Sequence, residues 1–119
     1  MTTKEIADRL VELCRKGGFE EAQTELFADN AVSIEQETSP AFPKETKGLK
    51  AIKEKGEKWN SMVKEMHGLD VSGPLVADNS FACTMKMDVT MKDGNRMAMT
   101  ELCTYHVKDG KVVSEEFSM

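Results

Sequence analysis

Lys-Asp-Gly occurs twice, at Lys92-Asp93-Gly94 and Lys108-Asp109-Gly110, each time between runs of alternating apolar and polar residues. Asp-Gly in that setting is a strong hairpin signal, because glycine reaches positive φ without a Cβ clash. Two such turns in succession predict a three-strand antiparallel meander built from Phe81 to Met91, Asn95 to Val107 and Lys111 to Met119. The geometry of each turn sets the register, and the register decides which side chains share a face.

A three-residue loop with glycine in a G1 bulge pairs Met91 with Asn95 and Val107 with Lys111. Met87 then faces Met99, Met85 faces Glu101, Cys83 faces Cys103 and Phe81 faces Tyr105. On the second hairpin Tyr105 faces Val113, Cys103 faces Glu115 and Glu101 faces Phe117. One face so built carries Phe81, Cys83, Met85, Met99, Tyr105, Val113 and Phe117. The other carries Thr84, Lys86, Thr100, Thr104 and His106. A two-residue turn shifts the pairing by one and mixes the faces, so the three-residue loop is the expectation for both turns.

Glu101 and Glu115 stand out because they fall on the apolar face, and in this register they are diagonal neighbours. Burial favours the neutral carboxyl, and a second like charge nearby reinforces it. A partly protonated carboxylic acid near neutral pH suits general acid/base chemistry, or a hydrogen bond to a polar ligand group. Two placements are open: inside a pocket, or at the sheet rim in water or against a Lys or Arg from a helix.

Upstream, Thr2 and Glu5 have capping-box spacing, Ile6, Leu10 and Leu13 recur at helical intervals, and Gly17-Gly18 ends the first helix. A second helix is expected from Phe19 to Phe27, and a short strand from Ala31 to Glu37. Thr38 to Lys47, with two prolines and no periodicity, reads as a loop that either covers a site or only connects. A third helix runs from about Leu49 to Met66 with Ile52, Trp59, Val63 and Met66 on one face. Gly56 in that stripe costs about 1 kcal/mol relative to alanine, which points either to close backbone packing or to space for a ligand beside Trp59. His67 to Val76 reads as a strand broken at Gly73-Pro74. Helices gathered ahead of antiparallel strands give an α+β fold with three N-terminal helices on the concave face of a curved, mainly antiparallel sheet.

With 119 residues the chain has the size of a single domain, residues 1–119. The net charge of -5, with lysines scattered among acids, offers no basic stripe for a phosphate backbone, so no nucleic-acid partner is expected. No apolar run approaches the roughly 18 residues of a membrane span, and the sequence enters its first helix without a signal-peptide core. Three cysteines, odd in number and widely spaced, read as core residues in a reducing compartment, which predicts a cytoplasmic protein. No ligand set has metal spacing, no phosphate-cradling glycine loop is present, and no cofactor is expected.

A pocket between sheet and helices is expected where methionines meet aromatic side chains, since methionine adapts to varied apolar shapes. Its candidate ligand-binding residues are Trp59, Met62, His67, Phe81, Met85, Met99, Tyr105 and Phe117, with Glu101 and Glu115 as candidate acid/base residues. Glu35 and Asp88 lack such a context, and His106 falls on the polar face.

The helix-helix-strand-helix-strand order, the helix start Gly48-Leu49-Lys50-Ala51-Ile52 and the closing run from Tyr105 to Val113 resemble the nuclear-transport-factor-2-like superfamily. Within it the chain most resembles small SnoaL-like domain proteins along nearly its whole length. The resemblance implies a cone-shaped domain of cystatin-like fold with a deep apolar pocket, often a homodimer. Relatives include polyketide cyclases, ketosteroid isomerases, limonene epoxide hydrolases and non-enzymatic binding domains. Two functions follow as expectations: a module binding a small apolar or mixed-polarity ligand, or a cofactor-independent isomerase, cyclase or epoxide-hydrolase-like enzyme using Glu101 or Glu115. A third is a structural homodimer through the threonine-rich sheet face.

Overall fold

A computed structural model describes residues 1–119. The chain runs α1 (Thr3–Arg15), α2 (Phe19–Leu26), β1 (Phe27–Ile34), β2 (Glu45–Lys47), α3 (Leu49–Met62), β3 (Val63–Val71), β4 (Leu75–Val76), β5 (Ser80–Met91), β6 (Arg96–Lys108) and β7 (Lys111–Ser118). The fold is α+β, with three helices against a curved, unclosed sheet in the order β2-β1-β7-β6-β5-β3, β4 pairing with β5. The sheet is mixed: β1 runs parallel to β7, and every other pairing is antiparallel.

The first helix forms as the sequence predicts. The Thr2 hydroxyl accepts from the Glu5 N–H at 3.1 Å, and the Thr2 N–H donates to the Glu5 carboxylate at 2.8 Å. Its stripe of Ile6, Leu10, Leu13 and Cys14 is buried, and the helix packs on β3, β4 and β5. All three cysteines are free and buried, as a core role requires.

Several boundaries differ from the sequence expectation. β1 begins at Phe27 and ends at Ile34, earlier than expected, because the chain turns directly from α2 into the strand. The expected loop from Thr38 to Lys47 contains β2, a three-residue edge strand paired with Val32–Ile34. The third helix stops at Met62, and Val63 and Met66 belong to β3 instead of a helical stripe. Pairing of Val63 through Val71 with β5 satisfies a row of backbone groups that a longer helix would have withheld from the sheet.

The first hairpin has the expected three-residue loop, with Gly94 at φ 93° and the Met91 N–H donating to the Asn95 carbonyl at 2.7 Å. Phe81–Tyr105, Cys83–Cys103, Met85–Glu101 and Met87–Met99 pair as predicted.

The second hairpin does not. Lys108 pairs with Lys111 across a two-residue turn, with Asp109 at φ 52° and Gly110 at φ 74°, the positive pair that a type I′ turn requires. Alone, this turn would flip every later residue of β7 to the other face. A bulge corrects it: Val107 pairs with Val112 and His106 with Ser114, leaving Val113 as the extra residue. Glu115 and Phe117 thus regain the face of Tyr105 and Cys103, but they pair with these two residues and not with Cys103 and Glu101. The Cys103–Phe117 pair lies between the rows of Glu115 and Glu101, so the glutamates are not diagonal neighbours. Val112, not Val113, is fully buried.

Gly56 and Gly110 have opposite roles. A Cβ on Gly56 would meet nothing within 4 Å, so close backbone packing is not its reason, whereas Gly110 sits where a side chain is strained. Gly56→Ala is expected to raise stability by up to about 1 kcal/mol, and Gly110→Ala to lower it by about 1–2 kcal/mol. Urea unfolding midpoints of the two variants check both signs.

Candidate functional site

A cavity of about 250 Å³ lies between the helices and the sheet. Its walls come from α1 and α2 through Leu10, Cys14 and Phe19, and from α3 through Ile52, Gly56 and Trp59. The sheet supplies Met85, Met87 and Met99 on one side and Tyr105 and Phe117 on the other. Phe42, from the connection between β1 and β2, reaches the same space. The connection is held there by Lys58, whose Nζ donates to the Ala41 carbonyl at 2.5 Å and lies 5.3 Å from the Phe42 ring centroid.

Tyr105 anchors the aromatic part of the wall. Its ring stacks on Phe81 at 4.9 Å between centroids and meets the edge of Phe27 at 6.4 Å. Burial raises the phenol well above its usual range, which keeps the hydroxyl protonated.

The polar part is a cluster around Lys55. Its Nζ donates to the Ser33 hydroxyl at 2.6 Å and to a Glu35 carboxylate oxygen at 3.0 Å, and it lies 5.5 Å from the Phe117 ring centroid. Ser33 is fully buried and directly opposite Glu115 in the parallel β1–β7 pairing. Glu115 is 4% exposed, and burial pushes its carboxyl up to about 7, against the pull of a Ser33 hydrogen bond and the Lys55 charge. Glu101, half-buried on β6, is also raised, first by burial and then by the Glu35 charge.

Trp59, Met85, Met99, Glu101, Tyr105, Glu115 and Phe117 of the sequence candidates therefore border one cavity. Three others lie elsewhere. Phe81 is in the core behind Tyr105, Met62 ends α3 away from the cavity, and His67 bonds the Thr90 hydroxyl at 2.6 Å on the opposite sheet face. His67 falls there because β3 begins before it, which turns an expected strand start into a mid-strand position.

Sequence reasoning missed Lys55, Ser33 and Glu35. Glu35 has the context denied to it, because it immediately follows β1 and faces Lys55. A signal existed: Lys55 lies on the stripe of Ile52, Gly56 and Trp59, and Ser33 alternates inward with buried Ala31. No group of three or more His, Cys, Asp or Glu side chains is arranged to hold a metal ion, and no helix is long and apolar enough to cross a membrane.

An α+β fold with helices against a curved mixed sheet and a cavity between the layers defines the nuclear-transport-factor-2-like, cystatin-like class. The family model for the SnoaL-like domain matches residues 1–119, and the chain belongs to that family. A Mesorhizobium loti protein provisionally named a SnoaL-like polyketide cyclase is 36% identical, with a TM-score of 0.93 and 100% of each chain covered. A nuclear-transport-factor-2-like protein from Burkholderia thailandensis shares the fold at 12% identity and a TM-score of 0.82, covering 99% of this chain and 90% of its own. A Bacillus subtilis protein provisionally named an isomerase does so at 18% identity and a TM-score of 0.73, covering 98% and 88%. No curated protein matches the sequence significantly.

The raised carboxyl of Glu115 makes stability depend on pH with a definite sign. Between the ordinary value of 4.5 and about 7 the folded chain binds the proton more tightly than the unfolded chain, so stability falls as pH rises through that window. The loss is on the order of 3 kcal/mol if this group acts alone. Glu115→Gln is expected to flatten the loss and to be the more stable protein at pH 8. Urea unfolding of both forms at pH 5 and pH 8 measures it.

Proposed function

We propose that this protein is a small-molecule-binding domain whose apolar, methionine-rich cavity holds a ligand oriented by Glu115 and Glu101. The observation that carries the reading is the cavity of about 250 Å³, lined by methionine and aromatic side chains and bordered by a nearly fully buried glutamate. Buried carboxyls are costly, so one bordering an apolar space is best accounted for by a polar group that enters with the ligand. The open space beside Gly56, next to Trp59 on the cavity wall, fits the same reading. In this reading helices and sheet close as a cone around the ligand, and the protein acts in the cytoplasm, where its three unpaired cysteines stay reduced.

A cofactor-independent acid/base enzyme is the second reading, favoured by a Glu115 carboxyl that exchanges its proton near neutral pH. The names of the Mesorhizobium loti and Bacillus subtilis proteins, a polyketide cyclase and an isomerase, agree with such chemistry, although fold alone does not carry activity across a family.

A homodimer through the outer sheet face belongs to the same proposal. Exposed Leu102 on β6 offers it apolar contact among Thr84, Thr100 and Thr104. Sedimentation that stays monomeric at high concentration removes the dimer.

The neutral fluorophore 2-naphthol is expected to bind saturably, and Met99→Trp, which fills the space, to abolish binding while the protein stays folded. Unchanged binding in Met99→Trp sinks the cavity reading. In the enzyme reading Glu115→Gln lowers kcat about 100-fold or more while probe binding persists.

A further inference from the structure

We propose that the ligand is a hydrophobic amine, with a protonated nitrogen placed between Glu115 and Glu101 and an apolar ring body against Trp59, Phe117 and the methionines. The proposal deepens the binding reading above and rests on it.

Charge balance inside the cavity leads to this choice. Glu35, Glu101 and Glu115 line it away from open solvent, against two lysines, Lys53 and Lys55. Lys55, the inner cation, is already engaged by Glu35 at 3.0 Å and Ser33 at 2.6 Å. Neither Glu101 nor Glu115 is within ion-pair distance of any Lys or Arg in the fold. A ligand anion would add to the carboxylate surplus, and a neutral ligand would leave it uncompensated. A cation supplies what the protein lacks.

Two further observations point the same way. Tyr105 is 2% exposed and lines the cavity, yet no protein group hydrogen-bonds its hydroxyl. The hydroxyl keeps its accessible surface on the cavity side, so it has a lone pair free for an incoming N–H. The aromatic wall also suits a cation, since ring faces attract positive charge more strongly when water is excluded. As to size, an engineered apolar cavity of about 150 Å³ holds benzene. A space of about 250 Å³ therefore suits a ligand of one or two rings.

The groups facing Glu115 are known from every packed element. They are Ser33 and Glu35 from β1 and its end, Lys55 from α3, Glu101, Cys103 and Tyr105 from β6, and Cys14 from α1. Burial raises the Tyr105 phenol and pushes the Cys14 thiol up to about 12, the Cys83 hydrogen bond and burial raise the Cys103 thiol, and burial pushes Glu115 up to about 7, inside the range from pH 5 to 8. The preference for an amine is then greatest at pH 8 and fades as Glu115 protonates.

Calorimetric titration with 2-naphthylmethylamine and its uncharged isostere 2-naphthylmethanol tests the proposal on the full chain. At pH 8 the amine is expected to bind about tenfold or more tightly than the alcohol, the effect of one charge-assisted hydrogen bond. At pH 5 the preference should shrink. Glu101→Gln and Glu115→Gln should each reduce the ratio of amine to alcohol affinity at pH 8. Should Glu115→Gln fail to fold, the wild-type pH comparison and Glu101→Gln still decide. Equal binding of both probes at pH 8 overturns the amine and leaves the cavity reading standing. A preference unchanged at pH 5 or in the glutamine variants also overturns it. If neither probe binds, the amine and the binding domain fall together.

Discussion

The placement of β7 governs the rest of the molecule. This strand pairs in parallel with β1 on one side and antiparallel with β6 on the other, so its register is fixed from both edges. The type I′ turn at Asp109-Gly110 twists the hairpin in the sense that right-handed strands need, and the bulge at Val113 returns the chain to the correct face. One residue more or less in this corner would turn Glu115 and Phe117 out of the cavity and aim Glu116 into the core.

Ser33 links that register to the polar chemistry. It is opposite Glu115 because β1 joins β7 in parallel, and it meets Lys55 because α3 lies across the same layer. The cluster draws on three separate elements, and each member offsets the desolvation of another: Lys55 compensates Glu35, and Ser33 accepts from Lys55 while stabilising the ionised form of Glu115. Glu101 lies outside this exchange. The interior therefore holds more carboxylate than cation, and that imbalance gives an otherwise apolar space its chemical character.

Much of the scaffold was legible along the chain. The capping box of α1, its buried stripe, the first Lys-Asp-Gly loop and all four β5–β6 pairs named from the sequence follow from local rules, because a helix cap or a tight turn involves residues only a few positions apart. The second Lys-Asp-Gly misled for an equally local reason. Lys-Asp-Gly fits a two-residue type I′ turn as well as a three-residue loop, and the choice is made by β1, which pairs with β7 from the far side. Face membership survived only because turn and bulge compensate. The end of α3 misled similarly, since Val63 and Met66 continue a helical stripe but are claimed by the free edge of β5.

Sequence by itself determined the class of fold, the apolar face of the meander and the presence of two glutamates on it, since alternation and turn chemistry are local. Tertiary structure alone decided which of the polar residues meet. Ser33, Glu35 and Lys55 converge on Glu115 through a parallel strand pairing and a helix crossing, contacts between residues distant in the chain that no periodicity encodes. It also separated Glu101 from Glu115 by one residue pair and moved His67 to the opposite face. The reason is that register is a property of the whole sheet, so a single added residue at Val113 resets the neighbours of every side chain beyond it.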